Sequence, residues 1–241
     1  MDQQVVFRDL GVMRYKEAWD YQESVLQRTV ALKAAIREAA DLHQDVAQLP
    51  QTEHYLLFVQ HPHVYTLGKS GSITNVLLSK ENLVKKGIDF FRINRGGDIT
   101  YHGPGQIVGY PIFDLEKFYT DIGKYLRNIE QVVILTLAEY GIKGERSKGE
   151  TGVWIEPHKP GKERKICAIG VRTSRWVTMH GFALNVNTDL DYFNFIIPCG
   201  IQNKQVTSLQ KELGRQVGME AVKEKLKTNF EKVFDIRLQD A

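Results

Sequence analysis

Chemical capacity in this 241-residue chain is concentrated in one glycine-rich run and two isolated thiols. Residues 95–106 read Arg-Gly-Gly-Asp-Ile-Thr-Tyr-His-Gly-Pro-Gly-Gln. Gly96, Gly97, Gly103 and Gly105 allow positive φ or close approach of main chain to a ligand, and Pro104 stiffens the turn between two of them. Arg95, Tyr101 and His102 place charge and hydrogen-bonding groups beside that freedom. The run reads as the wall of a site; the competing reading is a turn-rich loop whose His and Tyr satisfy buried main-chain groups. It lacks a closing Gly-Lys-Ser/Thr and the G-x-G-x-x-G spacing ahead of a helix, so nucleotide phosphates are not its indicated ligand.

Cys199 stands between Pro198 and Gly200, a rigid residue before it and a flexible one after it, which suits a thiol presented at the end of a loop. Cys167 lies inside the apolar stretch 166–169, where a thiol behaves as a small hydrophobe. A thiol reacts as thiolate, and a reference pKa of ~8.5 leaves a few per cent ionised at neutral pH, so a working cysteine needs a nearby base or cation. Lys165 begins the same apolar stretch, although composition alone assigns it to the solvated charged run 162–165. Two cysteines in unrelated contexts are too few for a disulfide framework or a multi-cysteine metal site. His61 and His63 flank Pro62 like paired ligands, but no third ligand follows at a recognisable spacing, and no metal is expected.

The elements that must position these groups alternate between strand and helix patterns. Residues 5–9 form a first strand, and 15–48 carry Ala18, Val25, Leu32, Ile36 and Ala39 at helical spacing, interrupted by Gln22 and Thr29 and ended by Pro50. Residues 55–59 are a continuous apolar run of buried-strand length. A short helix over 79–86 stops at Gly87, and a strand over 90–93 delivers the glycine-rich run, which feeds a central strand over 107–113. Ile122, Leu126, Ile129, Val133, Leu137 and Tyr140 share one helical face ahead of Gly141, a core helix on this reading. Two strands over 151–155 and 165–171 flank an exposed hairpin tip, and another spans 176–187, with Gly181 and Ala183 leaving room for a ligand chain. An irregular aromatic connection covers 189–197, and Met219, Val222, Leu226, Phe230 and Val233 mark a closing helix.

With 42% hydrophobic and 25% charged residues, the chain fits one large α/β domain or two small ones and argues against disorder. A net charge of +3 without a basic block argues against nucleic acid and still permits a basic rim facing an acidic protein. No stretch approaches the ~20 apolar residues of a membrane span. The residues after Met1 lack the pattern of a secretory signal, so a soluble, cytoplasmic protein without membrane partners is expected.

Residues 95–106, Lys-Ile-Cys-Ala-Ile-Gly over 165–170, His-Gly-Phe-Ala-Leu-Asn over 180–185 and Pro-Cys-Gly over 198–200 together resemble the lipoyl(octanoyl) transferases, in order and over nearly the whole chain. Residues 61–69 resemble that family's first conserved loop. The resemblance implies one α/β (α+β) domain over 1–241 with a mixed β-sheet and flanking helices, like the catalytic fold of biotin- and lipoate-protein ligases. It implies a Cys199 nucleophile that carries an acyl thioester and a Lys165 that lowers the thiol pKa and moves its proton. By the same comparison Arg95, Gly96, Gly97, Asp98, Ile99, Thr100, Tyr101, His102, Ala168, Ile169, Gly170, Gly181, Phe182 and Ala183 line the acyl pocket. His102 and His180 either orient water or the incoming amine or simply shape that pocket.

The implied donor is octanoyl-acyl carrier protein. The implied acceptors are lipoyl domains of 2-oxoacid dehydrogenase complexes and the glycine cleavage H protein, in the first step of endogenous lipoylation, with no cofactor. Asp98, at a position where uncharged polar residues also fit, the second thiol Cys167 and a long hairpin tip over 156–164 are the departures. Two rivals remain: an ATP-dependent lipoate- or biotin-protein ligase, distinguished by transfer without ATP, and a non-catalytic acyl-carrier-binding module, distinguished by the lack of any acyl adduct.

Overall fold

The computed structural model describes residues 3–197 and 205–240. Its main sheet combines β1 (Gln3–Val12), β2 (His54–Gln60), β6 (Gln106–Ile112), β7 (Val153–Ile155), β8 (Arg164–Ser174), β9 (Val177–Asn185), β10 (Gln205–Val206) and β11 (Ile236–Asp240) in the order β10-β8-β9-β6-β2-β1-β11, with β7 also on β8. The pairs of β1 with β2 and β11, and of β10 with β8, are parallel, and the other pairs are antiparallel. A second, three-stranded sheet has the order β4 (Asp89–Arg92), β3 (Val64–Leu67), β5 (Ile99–His102). The expected mixed-sheet α/β architecture is therefore present.

Helix α1 (Tyr15–Asp41) covers one face of the main sheet, and α3 (Ile122–Ala138) with α5 (Met219–Phe234) covers the other. The two-residue alternation of β2 shows why both faces need cover: Leu56 and Phe58 join the α3/α5 core, while Tyr55, Leu57 and Val59 join the α1 core. In β9, Phe182 and Leu184 face the first core and Val177, Met179 and Ala183 the second, the alternation expected from sequence.

Helix α1 ends at Asp41 and not near residue 48. His43 takes a left-handed φ of 56°, and the Asp45 side chain accepts the Ala47 N–H to start a separate 3-10 turn, Val46–Gln48. Gln22 and Thr29, which interrupt the apolar stripe, lie on the inner face and are fully bonded: the Gln22 Oε1 accepts the His180 N–H (2.9 Å), and the Thr29 hydroxyl donates to the Val25 carbonyl (2.9 Å). The short helix α2 (Lys80–Lys85) has Ser79 as its cap and Gly87 after it at φ 64°.

Several elements are absent from the sequence reading, among them β3 within 61–69, β5 inside the glycine-rich run, a 3-10 helix over Leu190–Phe195, β10, the short helix α4 (Leu209–Leu213) and the strand β11. Among the described residues no helix is long and apolar enough to cross a membrane.

Candidate active site

A cavity of about 610 Å³ lies where the glycine-rich run meets β8 and β9. The run approaches because Gly170 has no side chain: a Cβ there would stand 2.9 Å from the Gly96 carbonyl oxygen. The Gly96 N–H in turn donates to the Val171 carbonyl at 2.9 Å, clamping the run to the edge of β8. Arg95 anchors it from beneath. Its guanidinium is buried and donates to the carbonyl (2.8 Å) and hydroxyl (3.0 Å) of Thr66 in β3 and to the Gly96 carbonyl (2.9 Å). A five-donor planar cation suits this task of holding several oxygens at once.

His102 is buried against Tyr15, with parallel rings 5.9 Å apart. Gln106 uses its amide nitrogen on the Tyr101 carbonyl and the Asn185 Oδ1, so its oxygen accepts from His102 Nδ1–H at 2.8 Å. The Arg95 donation to Thr66 leaves the threonine hydroxyl hydrogen for His102 Nε2. Asn185 continues the chain of bonds to the Thr207 carbonyl (3.0 Å). The network ties β5, β6, β9 and the segment after β10 together, and burial, opposed by the Gln106 bond, pushes the imidazole pKa down to about 3.

His180 occupies a left-handed φ of 60° in the middle of β9. Its N–H is therefore spent on Gln22, its Nε2 donates to the Asn94 Oδ1 at 3.3 Å, and Nδ1 is buried without a hydrogen-bond partner. Burial, reinforced by the Arg95 and Arg172 charges, lowers its pKa to about 3.

The lining contains Arg95, Gly96, Gly97, Asp98, Ile99, Thr100, His102, Lys165, Ala168, Ile169, Gly170, Gly181, Phe182 and Ala183. Tyr101 is not in it. Its ring stacks on Tyr192 at 5.0 Å, and its hydroxyl meets the His63 Nδ1 at 2.7 Å, away from the cavity. Gly181 borders the cavity, but its bareness serves the sheet: a Cβ would lie 2.1 Å from the Gly109 carbonyl oxygen. His61 has both ring nitrogens engaged, with the Met13 carbonyl (2.8 Å) and the Tyr110 hydroxyl (2.7 Å).

Lys165 Nζ sits 4.6 Å from the Trp154 ring centroid, at the cavity margin. Val206 of β10 is its register partner, and Thr207 N–H donates to the Lys165 carbonyl (2.9 Å). Cys167 is fully buried in the α3/α5 core, and burial raises its thiol pKa, an inert setting. Cys199, the expected nucleophile, lies outside the described residues.

Tyr15, Tyr110, Ile122, Leu126 and Thr151 also line the cavity. Ile122 and Leu126 carried a readable signal, the apolar face of α3, but that face was expected to be core alone. Ile122 and Leu126 border the cavity, while Tyr125, Ile129, Val132, Val133 and Leu137 of the same helix lie in the core. Tyr15 and Tyr110 are brought in by the packing of α1 on the sheet and have no sequence signature of their own.

A model of the lipoyl protein ligase A/B catalytic domain matches residues 14–231, and the chain belongs to that family. Among its relatives an octanoyltransferase of Christiangramia forsetii is 58% identical, covering 99% of both chains. Another, of Flavobacterium psychrophilum, is 59% identical and covers 98% of both. The protein is accordingly an acyltransferase of the octanoyltransferase class. Its fold is that of a bipartite lipoate protein ligase of Thermoplasma acidophilum, with a TM-score of 0.68 at 17% identity, covering 100% of this chain and 87% of the other.

Proposed function

We propose that the protein moves an octanoyl group from octanoyl-acyl carrier protein to a specific lysine of lipoyl domains, through a thioester on Cys199. The observation that carries this reading is the cavity. Ala168, Ile169, Phe182, Ala183, Ile122 and Leu126 give it apolar walls, and Lys165 supplies an amine at its margin. Each methylene of a saturated chain buried there contributes ~0.8 kcal/mol. β10, paired beside Lys165, begins six residues after Cys199, which supports a short path between thiol and amine.

In the first half, Lys165 takes the Cys199 proton and the thiolate attacks the donor's thioester carbonyl. The new C–S bond forms as the old one breaks, and the carrier leaves as a thiol after receiving a proton. In the second half the acceptor lysine amine attacks the octanoyl-Cys199 carbonyl, the C–N bond forms, and the Cys199 C–S bond breaks. The amine's proton passes through Lys165 to the departing thiolate. Main-chain N–H groups of the glycine-rich run stabilise the oxyanion in both halves.

Residues 1–241 act as one catalytic domain on this reading. The acceptors are the lipoyl domains of 2-oxoacid dehydrogenase complexes and the glycine cleavage H protein, and the setting is cytoplasmic. Incubation with octanoyl-acyl carrier protein and an apo lipoyl domain, without ATP, tests it. Octanoyl amide on the acceptor lysine is expected; transfer that requires ATP and free octanoate would replace this reading with that of a ligase.

A further inference from the structure

The outer edge of β8 pairs with β7 as far as Cys167 and with Gly96 at Val171, and among the described residues it is bare between them. Val153 of β7 is the register partner of Cys167. Trp154 exchanges its own N–H and C=O with Glu145, so Val153 and Cys167 are the pair that share ladder bonds. Four residues along, the Val171 carbonyl accepts the Gly96 N–H. Main-chain groups alternate sides along a strand, so Ile169, midway between these points, also directs its N–H and C=O outward, while Ala168 and Gly170 pair inward with Ala183 and Gly181 of β9. No described residue partners the outward N–H or C=O of Ile169. Ile169 is only partly buried and lines the cavity between Gly96 on one side and residues 149–151 on the other.

An unpaired main-chain donor and acceptor at the wall of a binding cavity need a complementary ligand, because unmade hydrogen bonds are costly once water is displaced. We propose that the main chain of Ile169 is a one-rung hydrogen-bonding site for a secondary amide in the thiol arm of the acyl donor. Its N–H donates to the amide carbonyl, and its C=O accepts the amide N–H. The inference rests on the reading of the protein as a thioester-dependent acyltransferase.

The dimensions select this ligand. The interval from Cys167 to Val171 is ~13 Å at ~3.3 Å per residue, and both ends are already paired. A peptide strand, which bonds on successive rungs, does not fit between them; one amide does. The octanoyl chain has nothing to offer either group. A thioester oxyanion would use the N–H alone and leave a carbonyl oxygen facing negative charge.

The test compares two octanoyl thioesters with equally long arms, one of N-acetylcysteamine, which carries the amide, and one of pentanethiol, which does not. Transfer to an apo lipoyl domain is followed with wild-type protein, Ile169→Ala, which keeps the N–H, and Ile169→Pro, which deletes it. Proline is tolerated on a sheet edge where the N–H points away from the ladder, so this variant is expected to fold. Wild type and Ile169→Ala should prefer the amide donor by roughly tenfold in kcat/KM, and Ile169→Pro should reduce the preference to about twofold. An equal preference in folded Ile169→Pro and wild type overturns the inference. Should the proline variant not fold, the wild-type comparison decides it, because equal rates from the two donors overturn it as well. Absence of transfer from both donors and from octanoyl-acyl carrier protein would instead defeat the underlying reading of the function.

Discussion

The two thiols, Cys167 and Cys199, differ in the property that decides reactivity, the cost of becoming a thiolate. Cys167 has no exposed surface and its pKa is raised by burial, so it should resist alkylation in the native protein. On the proposed mechanism Cys199 is the thiol that iodoacetamide labels, and Lys165→Ala should slow that labelling at neutral pH and restore it as pH rises. Lys165→Arg keeps the charge without a proton shuttle, so labelling should survive better than turnover. An unchanged alkylation profile in Lys165→Ala, read by peptide mass mapping across a pH series, would remove the charge-pair mechanism. At this scale residue types were legible in sequence, but directions were not. The buried setting of Cys167 follows from its apolar neighbours, whereas Tyr101 turns to Tyr192 and His63, a choice made by a second sheet that the glycine-rich run conceals.

Among the elements, α3 links the core to the site through one buried carboxylate. Glu130 has no exposed side-chain surface; its oxygens accept from the Gly152 N–H (3.0 Å) and the Arg146 Nε (2.9 Å), and it pairs with Arg127 at 2.8 Å. It therefore fixes the approach to residues 149–151 at the cavity wall. Glu130→Ala should destabilise the fold by about 3 kcal/mol, because Arg127, Arg146 and the buried Gly152 N–H lose this carboxylate together, Arg146 keeping only its bonds to Gln131 and the Arg127 carbonyl. Urea unfolding measures this, and a loss below about 1 kcal/mol would show that water substitutes for the carboxylate.

Periodicity identified α1, α3, α5 and the long strands, because burial of one face forces apolar residues into the period of the element. It missed β5, where Ile99 and Tyr101 alternate over too few residues between glycines. It missed β11, which is held by parallel pairing with β1, a contact more than 200 positions away in sequence. The φ of 60° at His180 has no local cause either. It goes with the hydrogen bond from the His180 N–H to Gln22 across the α1–β9 interface, so the polar residue that interrupts the helix stripe is a partner of this backbone.

For the whole molecule, neutral buried histidines set the response to acid. Burial lowers His54 and His61 to about 4 and His102 and His180 to about 3. An unfolded imidazole titrates near ~6.5, so the unfolded chain binds protons that the native state refuses. Stability is complete above that pH and falls as pH drops toward 4 and then 3, by up to about 1.4 kcal/mol per pH unit for each histidine. Urea midpoints taken at intervals from pH 7 to pH 4 should fall steadily, as a single transition if the chain is one cooperative domain. A flat profile would mean that these histidines are protonated in the native state.

The central claim, that the octanoyl group passes through Cys199, is tested most directly by intact-mass and peptide-mass analysis after brief mixing with octanoyl-acyl carrier protein. The account predicts one octanoyl group per chain on the peptide containing Cys199, retained in Cys167→Ser, lost in Cys199→Ser and discharged by an apo lipoyl domain. Acyl transfer that proceeds at the wild-type rate in Cys199→Ser, or an adduct found on Cys167, would contradict it.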